Sequence, residues 1–318
     1  MSQKPCDLSS ATEYNRGMAK RIFLFLATNL VIVLTLSTIL SLLGVGRYLG
    51  PDGSLQIEQL AVFCFVWGMG GAFLSLQISR FIAKRSLGVR LIDGRAGDAD
   101  LDWLHNTITQ LTQQANLPMP EVGIYDSPEV NAFATGPSRR RSLVAVSTGL
   151  LRTMGRREVQ GVLAHEISHI ANGDMVTMTL LQGVLNAFVM FFARIIAFFV
   201  AQALSGGRSD DRRETRPNYM IQFAVQIALE IVLTVLASLI TAWFSRQREF
   251  RADAGGAQLA GRDSMVSALR RLQQTTALID PQAGALASFK ISGRKGWLAA
   301  FSTHPPLEQR IAALEQLV

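Results

Sequence analysis

The sequence predicts a multipass, mostly α-helical membrane protein with an α+β domain on the cytoplasmic side of the membrane. Of its 318 residues, 49% are hydrophobic and only 17% are charged, whereas a soluble domain usually has about 25% charged residues. Four long apolar segments alternate with shorter polar stretches. The composition therefore excludes an ordinary soluble enzyme and a disordered chain.

The first two apolar segments lie near the N-terminus. Residues 22–43 contain no charge and would form a helix of about 33 Å, which is long enough to cross the hydrocarbon layer. No A-x-A cleavage site follows them, so we expect a retained anchor rather than a signal peptide. Residues 60–82 form a second predicted span, in which Gly68 and its neighbouring glycines favour close contact between helices.

Two further apolar segments predict a transmembrane or membrane-embedded hairpin over residues 175–244. Residues 175–204 contain one charge, Arg194, and residues 219–244 contain one charge, Glu230. In an antiparallel hairpin these charges fall at nearly equal depth, and an isolated ionisable group in the bilayer costs at least ~2.5–3.5 kcal/mol. We therefore predict an Arg194–Glu230 ion pair. Polar stripes on both helices predict either a hydrated seam or interhelical hydrogen bonds without a path for water.

The distribution of basic residues predicts the orientation. Four basic residues precede the first span and four end or follow the second, whereas the loop between them has Arg47 against Asp52 and Glu58. The positive-inside rule then places the N-terminal segment 1–21 and the chain after the second span in the cytoplasm. The net charge of +7 reflects this topology and not a nucleic-acid surface. The arginines of the link 205–218 fit export poorly, which leaves a shallow hairpin as an alternative.

The soluble part comes in two segments, one on each side of the hairpin. In the first segment, residues 83–174, the pattern predicts helices over 98–115 and 157–171 and short strands over 121–125, 130–135 and 142–148. In the second segment, residues 245–318, it predicts helices over 246–259, 263–276 and 307–317. These elements indicate a mostly helical domain with a small amount of β-structure.

Residues 165–169 read His-Glu-Ile-Ser-His, which has the spacing of a metal site. Positions i and i+4 share one face of a helix, so both imidazoles can bind one Zn²⁺. Glu166 projects beside the metal, where it can accept a proton from a bound water. The chain has only four histidines, which argues against chance; the alternative is a helix with two solvated histidines.

A catalytic zinc needs a third protein ligand and an open position. The extended motif of the metzincins would require a glycine at position 172 and a histidine at position 175, but the chain has Asn172 and Met175 there. Asp174 follows the histidines too closely to be the first choice. Glu249 would complete a His₂Glu set, and Asp253, four residues later, would hydrogen-bond a ligand imidazole. Spacing alone leaves open an exposed helix whose acids pair with neighbouring arginines.

The order of the spans favours Glu249. His169 lies six residues before the third span, and Glu249 lies five residues after the fourth. An even number of crossings returns the chain to the face that it left. The hairpin would then be an insertion between two halves of one metal site, at the cytoplasmic mouth of the spans.

Four motifs together resemble the HtpX family of bacterial inner-membrane zinc metalloproteases, which is related to the CAAX prenyl-protein processing proteases. They are VNAFATG (130–136), LAHEISHIANGDMVTMTLLQG (163–183), SRQREFRADAGGAQLAG (245–261) and STHPPLEQRI (302–311). The resemblance covers nearly the whole chain, because the anchor pair and the membrane hairpin occur in the same order.

The resemblance implies a fold, a metal and a reaction. The fold is a zincin-type (gluzincin-like) α+β cytoplasmic metalloprotease domain with one Zn²⁺ per subunit. The zinc ligands would be His165, His169 and Glu249, and Glu166 would be the catalytic base. The implied activity is ATP-independent endoproteolysis of damaged or misfolded membrane proteins at the bacterial inner membrane, in quality control and stress response. The absence of any Gly-Lys pair, and hence of a Walker A motif, independently disfavours an ATP-driven protease.

Two further residues gain candidate roles from the resemblance. Asn131 lies on a predicted strand that can pair with extended substrate, and His304 would donate to the oxyanion of the tetrahedral intermediate. The alternatives are turn chemistry for Asn131 and a helix N-cap neighbour for His304. Membrane-protein substrates and the lipid bilayer are the expected partners, with no nucleic acid and no ATP.

Two other classes of function remain open from the sequence. A metal-binding membrane receptor or chaperone without turnover would keep the ligands but would not need Glu166. An intramembrane-cleaving protease would need the metal inside the bilayer.

Overall fold

The structure, a computed structural model, describes residues 54–95, 97–205, 219–279 and 302–316 and isolated positions between 32 and 42. The N-terminal segment 1–21 and the link 206–218 lie outside the described residues. Most of the first predicted span also lies outside them; the positions described there, such as Leu36 and Leu40, are helical.

The described elements run from a long apolar helix into a mixed α/β part, through two further long apolar helices, and end in shorter helices. They are α1 (Ile57–Phe65), a π-helical turn (Val66–Gly70), α2 (Gly71–Leu87), β1 (Arg90–Ile92), α3 (Ala99–Gln114), β2 (Glu121–Tyr125), β3 (Ala132–Ser138), β4 (Arg141–Ser147), α4 (Thr148–Thr153), α5 (Arg156–Asn172), α6 (Asp174–Ser205), α7 (Tyr219–Ala260), α8 (Arg262–Ile279) and α9 (Leu307–Glu315).

Three helices of the described part are long and apolar enough to cross a membrane, judged by length and composition: Ile57–Leu87, Asp174–Leu204 and Met220–Ala260. The first combines α1, the π-helical turn and α2, and its glycines pack it directly on α6. A Cβ atom at Gly68 would lie 2.6 Å from the backbone nitrogen of Ala187 and 2.7 Å from the carbonyl oxygen of Gly183. Glycine is therefore required for this close approach.

The α6–α7 hairpin brings its two charged side chains into contact. Arg194 Nη1 lies 3.1 Å from Glu230 Oε1, and the Arg194 guanidinium carbon lies 5.4 Å from the centroid of the Phe63 ring. Gln226 Nε2 donates to the same Glu230 oxygen at 3.0 Å. That bond lies within α7, and on α6 Gln182 likewise donates to Asn186 of its own helix at 2.8 Å. The hydrated seam therefore stays a prediction, while the charges meet as the hairpin geometry requires.

We expect the Arg194–Glu230 pair to show strong coupling in a double-mutant cycle. Changing Arg194→Leu or Glu230→Leu alone leaves the partner charge without a counter-ion among apolar side chains. Changing both residues leaves no unpaired charge. The single variants should each lose more stability than the double variant, with a coupling free energy of about 1–3 kcal/mol. Unfolding of the reconstituted protein measures this, and additive effects would show that the pair contributes nothing.

The fourth apolar segment and the helix that carries Glu249 form one continuous helix, α7, of 42 residues. The sequence predicted a separate helix from residue 246, and this boundary is wrong. No glycine or proline interrupts Phe244–Arg248, so nothing ends the helix between its apolar and polar parts. The membrane hairpin is thus rigidly connected to Glu249.

The soluble part contains a four-stranded sheet in the order β1-β2-β4-β3. Strands β2 and β4 are parallel, and β1 and β3 pair antiparallel at the two edges. One face of the sheet packs against α3 and α5 around a core that includes Ile108, Val144 and Leu163. The other face packs against the end of α2, where Leu87 contacts the cluster of Tyr125 and Leu143.

The predicted bounds of β3 are wrong at both ends. The strand begins at Ala132, two residues after the predicted start, because the Ser147 hydroxyl takes the Asn131 backbone N–H at 3.1 Å and donates to the Glu129 carbonyl at 2.6 Å. It then continues through Gly136 and Pro137, which were predicted to separate two strands. Gly136 has a φ of +146° and forms an irregularity in which a Cβ atom would meet the Arg141 carbonyl oxygen.

Candidate active site

Helix α5 carries the His-Glu-Ile-Ser-His motif. The Glu158 carboxylate accepts from the Gly155 backbone N–H at 2.8 Å before the helix begins, and Gly173, with a φ of +70°, ends it. Leu163, Ile167 and Ile170 are buried in the domain core. This packing fixes the rotation of α5, and it places His165 Nε2 and His169 Nε2 3.1 Å apart.

Helix α7 crosses α5 very closely through two glycines. A Cβ atom at Gly255 would lie 2.6 Å from Ser168 Oγ, and one at Gly256 would lie 3.1 Å from the backbone nitrogen of His165. The crossing brings the buried Glu249 carboxylate over the two imidazoles. Its Oε2 lies 3.5 Å from His165 Nε2, and its Oε1 lies 3.5 Å from His169 Nε2.

The three side chains fit a tetrahedral metal ion. One ligand atom from each residue lies within 4.8 Å of the other two. The two imidazole nitrogens are 3.1 Å apart, and each of them lies 3.5 Å from a different oxygen of the Glu249 carboxylate. Zinc bonds of about 2.0–2.2 Å in a tetrahedron place ligand atoms about 3.3–3.6 Å apart. The donor set and its spacing therefore match one divalent ion with a further position available.

Two aspartates orient the imidazoles toward the ion. Asp253 Oδ1 lies 2.9 Å from His165 Nδ1, and Asp174 Oδ2 lies 2.6 Å from His169 Nδ1. Carboxylates beside Nδ1 favour the tautomer in which Nδ1 carries the proton, so both Nε2 lone pairs face Glu249. Without a cation, the two lone pairs and the Glu249 carboxylate would repel one another. Their close approach therefore indicates that the site holds a positive charge.

The carboxylates around the two histidines raise the pKa values of both imidazoles. Burial lowers the pKa of His165, but the hydrogen bonds to Asp253 and Glu249 outweigh burial and raise it to about 9. Burial also lowers the pKa of His169, and Asp174 and Glu249 again outweigh it, so its pKa lies above the usual value.

We therefore expect metal binding to release protons. At pH 7 the metal-free His165, with a pKa of about 9, is protonated, and the neutral imidazole is the form that binds metal. The metal affinity should fall about tenfold for each pH unit below that pKa. Calorimetry of zinc binding in buffers with different ionisation enthalpies measures the release; at least one proton per zinc is expected, and none would contradict this electrostatic account.

Arg310 is a site residue to which the sequence analysis assigned no role. It is 7% exposed, holds Asp253 with two short hydrogen bonds of 2.6 and 2.7 Å, and approaches Glu249 Oε2 at 3.3 Å. A signal was present, because Arg310 falls in the apolar stripe of α9 beside Ile311. A charged residue at a core position needs a buried partner, and Asp253 is that partner.

By its position in the sequence, Asp174 is a weaker candidate for the third ligand than Glu249. The structure places it beside His169 Nδ1, where it orients the imidazole. Gly173 allows this arrangement, because its left-handed backbone lets the chain turn back toward the end of α5 before α6 begins.

A cavity of about 190 Å³ lies next to the ligands and is lined by Glu166, Asn131 and His304, together with His165, Glu249 and Arg310. His304 Nδ1 lies 3.1 Å from Glu249 Oε2 while its side chain is 63% exposed. Asn131 lies one residue before β3 instead of on it, because of the Ser147 contacts described above. The structure therefore brings together all seven candidate site residues of the soluble part.

A His₂Glu set at the end of apolar helices, with a glutamate beside it in a cavity, defines the class of membrane metallopeptidases. The chain belongs to peptidase family M48, whose family model matches residues 98–318. It is 51% identical over 305 residues to the Protease HtpX homolog of Methylacidiphilum infernorum (isolate V4), covering 94% of this chain and 99% of that protein. It is 52% identical over 296 residues to Protease HtpX of Aeromonas hydrophila subsp. hydrophila, covering 93% and 99% respectively.

The fold also matches a solved structure. The crystal structure of Ste24p from S. mikatae superposes with a TM-score of 0.63 at 20% identity, covering 96% of this chain and 67% of that one. The resemblance to the HtpX family and the mostly helical metalloprotease fold are thereby confirmed. The protein is a metal-dependent membrane protease.

Proposed function

We propose that this protein is a zinc-dependent, ATP-independent endopeptidase that cleaves damaged or misfolded membrane proteins at the cytoplasmic face of a bacterial inner membrane. The observation that carries the proposal is the position of the site. His165, His169 and Glu249 converge next to two helices that are long and apolar enough to cross a membrane, beside a cavity that is lined by Glu166. One zinc ion per subunit matches the nitrogen and oxygen donors and their spacing.

The residues around the metal have distinct roles in this proposal. Zinc bound by His165, His169 and Glu249 would polarise the scissile carbonyl and increase the acidity of a water molecule. Glu166 accepts the proton of the attacking water and transfers it to the leaving amine. Asp253 and Asp174 hold the imidazoles in the ligating tautomer, and Arg310 fixes Asp253.

Substrate would lie between β3 and the motif helix. The outer edge of β3 is not paired with another strand of the described sheet, so an extended peptide can add to it as a further strand. Asn131 lies where this edge enters the cavity, and its side chain can hydrogen-bond the peptide backbone. His304 lies beside Glu249 in the same cavity and can donate to the oxyanion.

The continuity of α7 supports a membrane-protein substrate. The helix runs from the hairpin to Glu249 without a break, so the metal lies at a fixed height relative to the membrane. His169 lies just before the other hairpin helix, α6. A site at the rim of the spans reaches chain segments that emerge from the bilayer, and it differs from the site of an intramembrane-cleaving protease, which lies within the hydrocarbon.

Cleavage by the purified, reconstituted protein tests the proposal. We expect cuts in misfolded membrane proteins without ATP, loss of cleavage after chelation, and recovery when zinc is added. The cut sites, mapped by mass spectrometry, should lie in segments next to spans on the cytoplasmic side. Cleavage that requires ATP, or cuts confined to the middle of spans, would contradict it. Zinc binding without any turnover would instead support a receptor or chaperone.

A further inference from the structure

A group of basic side chains lies where the β3–β4 hairpin meets α2. The turn of the hairpin is Arg139-Arg140, Arg141 begins β4, and all three arginines are exposed. More basic residues follow the apolar part of α2. The basic cluster, as we define it, consists of Arg80, Lys84, Arg85, Arg139, Arg140 and Arg141.

Two hydrogen bonds hold the backbone of the turn that carries the arginines. The Arg141 backbone N–H donates to Ser138 Oγ at 3.2 Å, and Ser142 Oγ donates to the Arg139 carbonyl at 3.1 Å. The irregularity at Gly136 and the buried Pro137 precede the turn. The arginines therefore extend from an ordered part of the sheet.

A hydrogen bond sets the depth of this hairpin relative to the membrane. Arg141 Nη2 donates to Gln77 Oε1 of α2 at 3.0 Å. Residues 59–79 of the α1–α2 helix carry no charge and span about 30 Å, which is the thickness of the hydrocarbon layer. Gln77 lies in the last turn of that segment, and Arg80 follows it. If residues 59–79 span the hydrocarbon, the hairpin turn lies at the boundary between hydrocarbon and headgroups.

The charge of the cluster is mostly uncompensated. Glu121 pairs with Arg80 at 3.4 Å and with Lys84 at 3.0 Å. For Arg139 and Arg140 no carboxylate among the described residues forms an ion pair. Six cations with one paired carboxylate, at headgroup depth, form a surface that attracts anions fixed in the membrane plane.

We propose that the basic cluster binds the phosphate groups of anionic phospholipids and thereby fixes β3 to the membrane surface. Strand β3 begins beside the cavity, where Asn131 and Ala132 are part of the lining, and ends at the hairpin turn about 20 Å away. Lipid bound at the turn, where β3 ends, would restrict the movement of the opposite end of β3, which lines the cavity. This proposal concerns the membrane surface and does not depend on metal or turnover.

The test compares the thermal stability of the full-length protein in two kinds of nanodisc. One contains only phosphatidylcholine, and the other also contains phosphatidylglycerol. The variant Arg139→Gln/Arg140→Gln removes two charges from the cluster. The control Arg156→Gln/Arg157→Gln removes two charges from α5, where the side chains are 61% and 62% exposed and pair with Asp100 and Asp263. Because it also breaks these two surface pairs, the control is compared by its rise between the two nanodiscs and not by its melting temperature in either one.

Wild type and the control should melt several degrees higher with phosphatidylglycerol than without it, and salt should reduce this rise. The Arg139→Gln/Arg140→Gln variant should lose at least half of the rise and should melt like wild type in phosphatidylcholine. If it melts lower there, the charge-preserving variant Arg139→Lys/Arg140→Lys must retain the rise.

Three results would overturn the proposal. They are the absence of a rise in wild type, an equal loss in the control, and a rise of the same size produced by inorganic phosphate in phosphatidylcholine nanodiscs. The last result would indicate a site for free anions instead of a membrane surface.

Discussion

Replacing Glu166 with glutamine should abolish peptide cleavage while leaving the metal in place. Glutamine has the size and shape of glutamate but cannot accept a proton from the attacking water. General-base catalysis contributes about 10²–10⁴-fold to rates, so we expect a loss of activity in this range or larger. The expected measurement is a cleavage rate on a reconstituted membrane substrate together with the zinc content of the same preparation.

The control for this experiment is Glu308→Gln, an exposed glutamate at the start of α9 that bonds Gln273. It should keep both zinc and activity, because glutamine can still accept that hydrogen bond. A Glu166→Gln protein that cleaves at the wild-type rate would contradict the proposed mechanism. A loss of zinc together with activity would show that Glu166 acts on the site's structure instead of on the water.

Replacing Glu249 with alanine should remove the metal itself. The carboxylate is buried and supplies the third ligand atom between the two imidazoles. We expect the zinc affinity to fall by more than ~100-fold, which exceeds the ~10–100-fold effect typical of residues that only orient ligands. Competition with a chelator of known affinity measures the zinc affinity of this variant and of the comparison variant described next.

The comparison variant is Asp253→Asn, which weakens the contact to His165 Nδ1 without removing a ligand. Its zinc affinity should fall less than that of Glu249→Ala. Equal effects, or wild-type affinity in the Glu249→Ala protein, would show that the third ligand is another group. The order of the two losses therefore distinguishes a ligand from a residue that orients one.

Local patterns predicted the parts of this molecule that depend on neighbouring residues. The spacing of His165 and His169 on one helix face places two nitrogens together, and the even number of crossings between His169 and Glu249 brings the third group to them. Hairpin geometry likewise predicted that Arg194 and Glu230 lie at equal depth. Each of these inferences needs only helix periodicity and the return of the chain to one side of the membrane.

Other features depend on tertiary contacts that no local pattern contains. The roles of Arg310 and Asp174 follow from the packing of α9 against α7 and from the turn at Gly173. The start of β3 depends on the Ser147 hydroxyl, which is distant in sequence. The continuity of α7 differs from the prediction because a change from apolar to charged residues does not end a helix when no helix-breaking residue occurs there.

X-ray absorption at the zinc edge, measured on the purified protein, tests the central claim most directly. We expect one zinc per chain surrounded only by nitrogen and oxygen at about 2.0–2.2 Å, with the scattering pattern of two imidazoles. In the His165→Ala/His169→Ala protein that pattern should disappear. A sulfur neighbour at about 2.3 Å, or an unchanged two-imidazole spectrum in the double variant, would contradict the assignment of His165, His169 and Glu249 as the metal site.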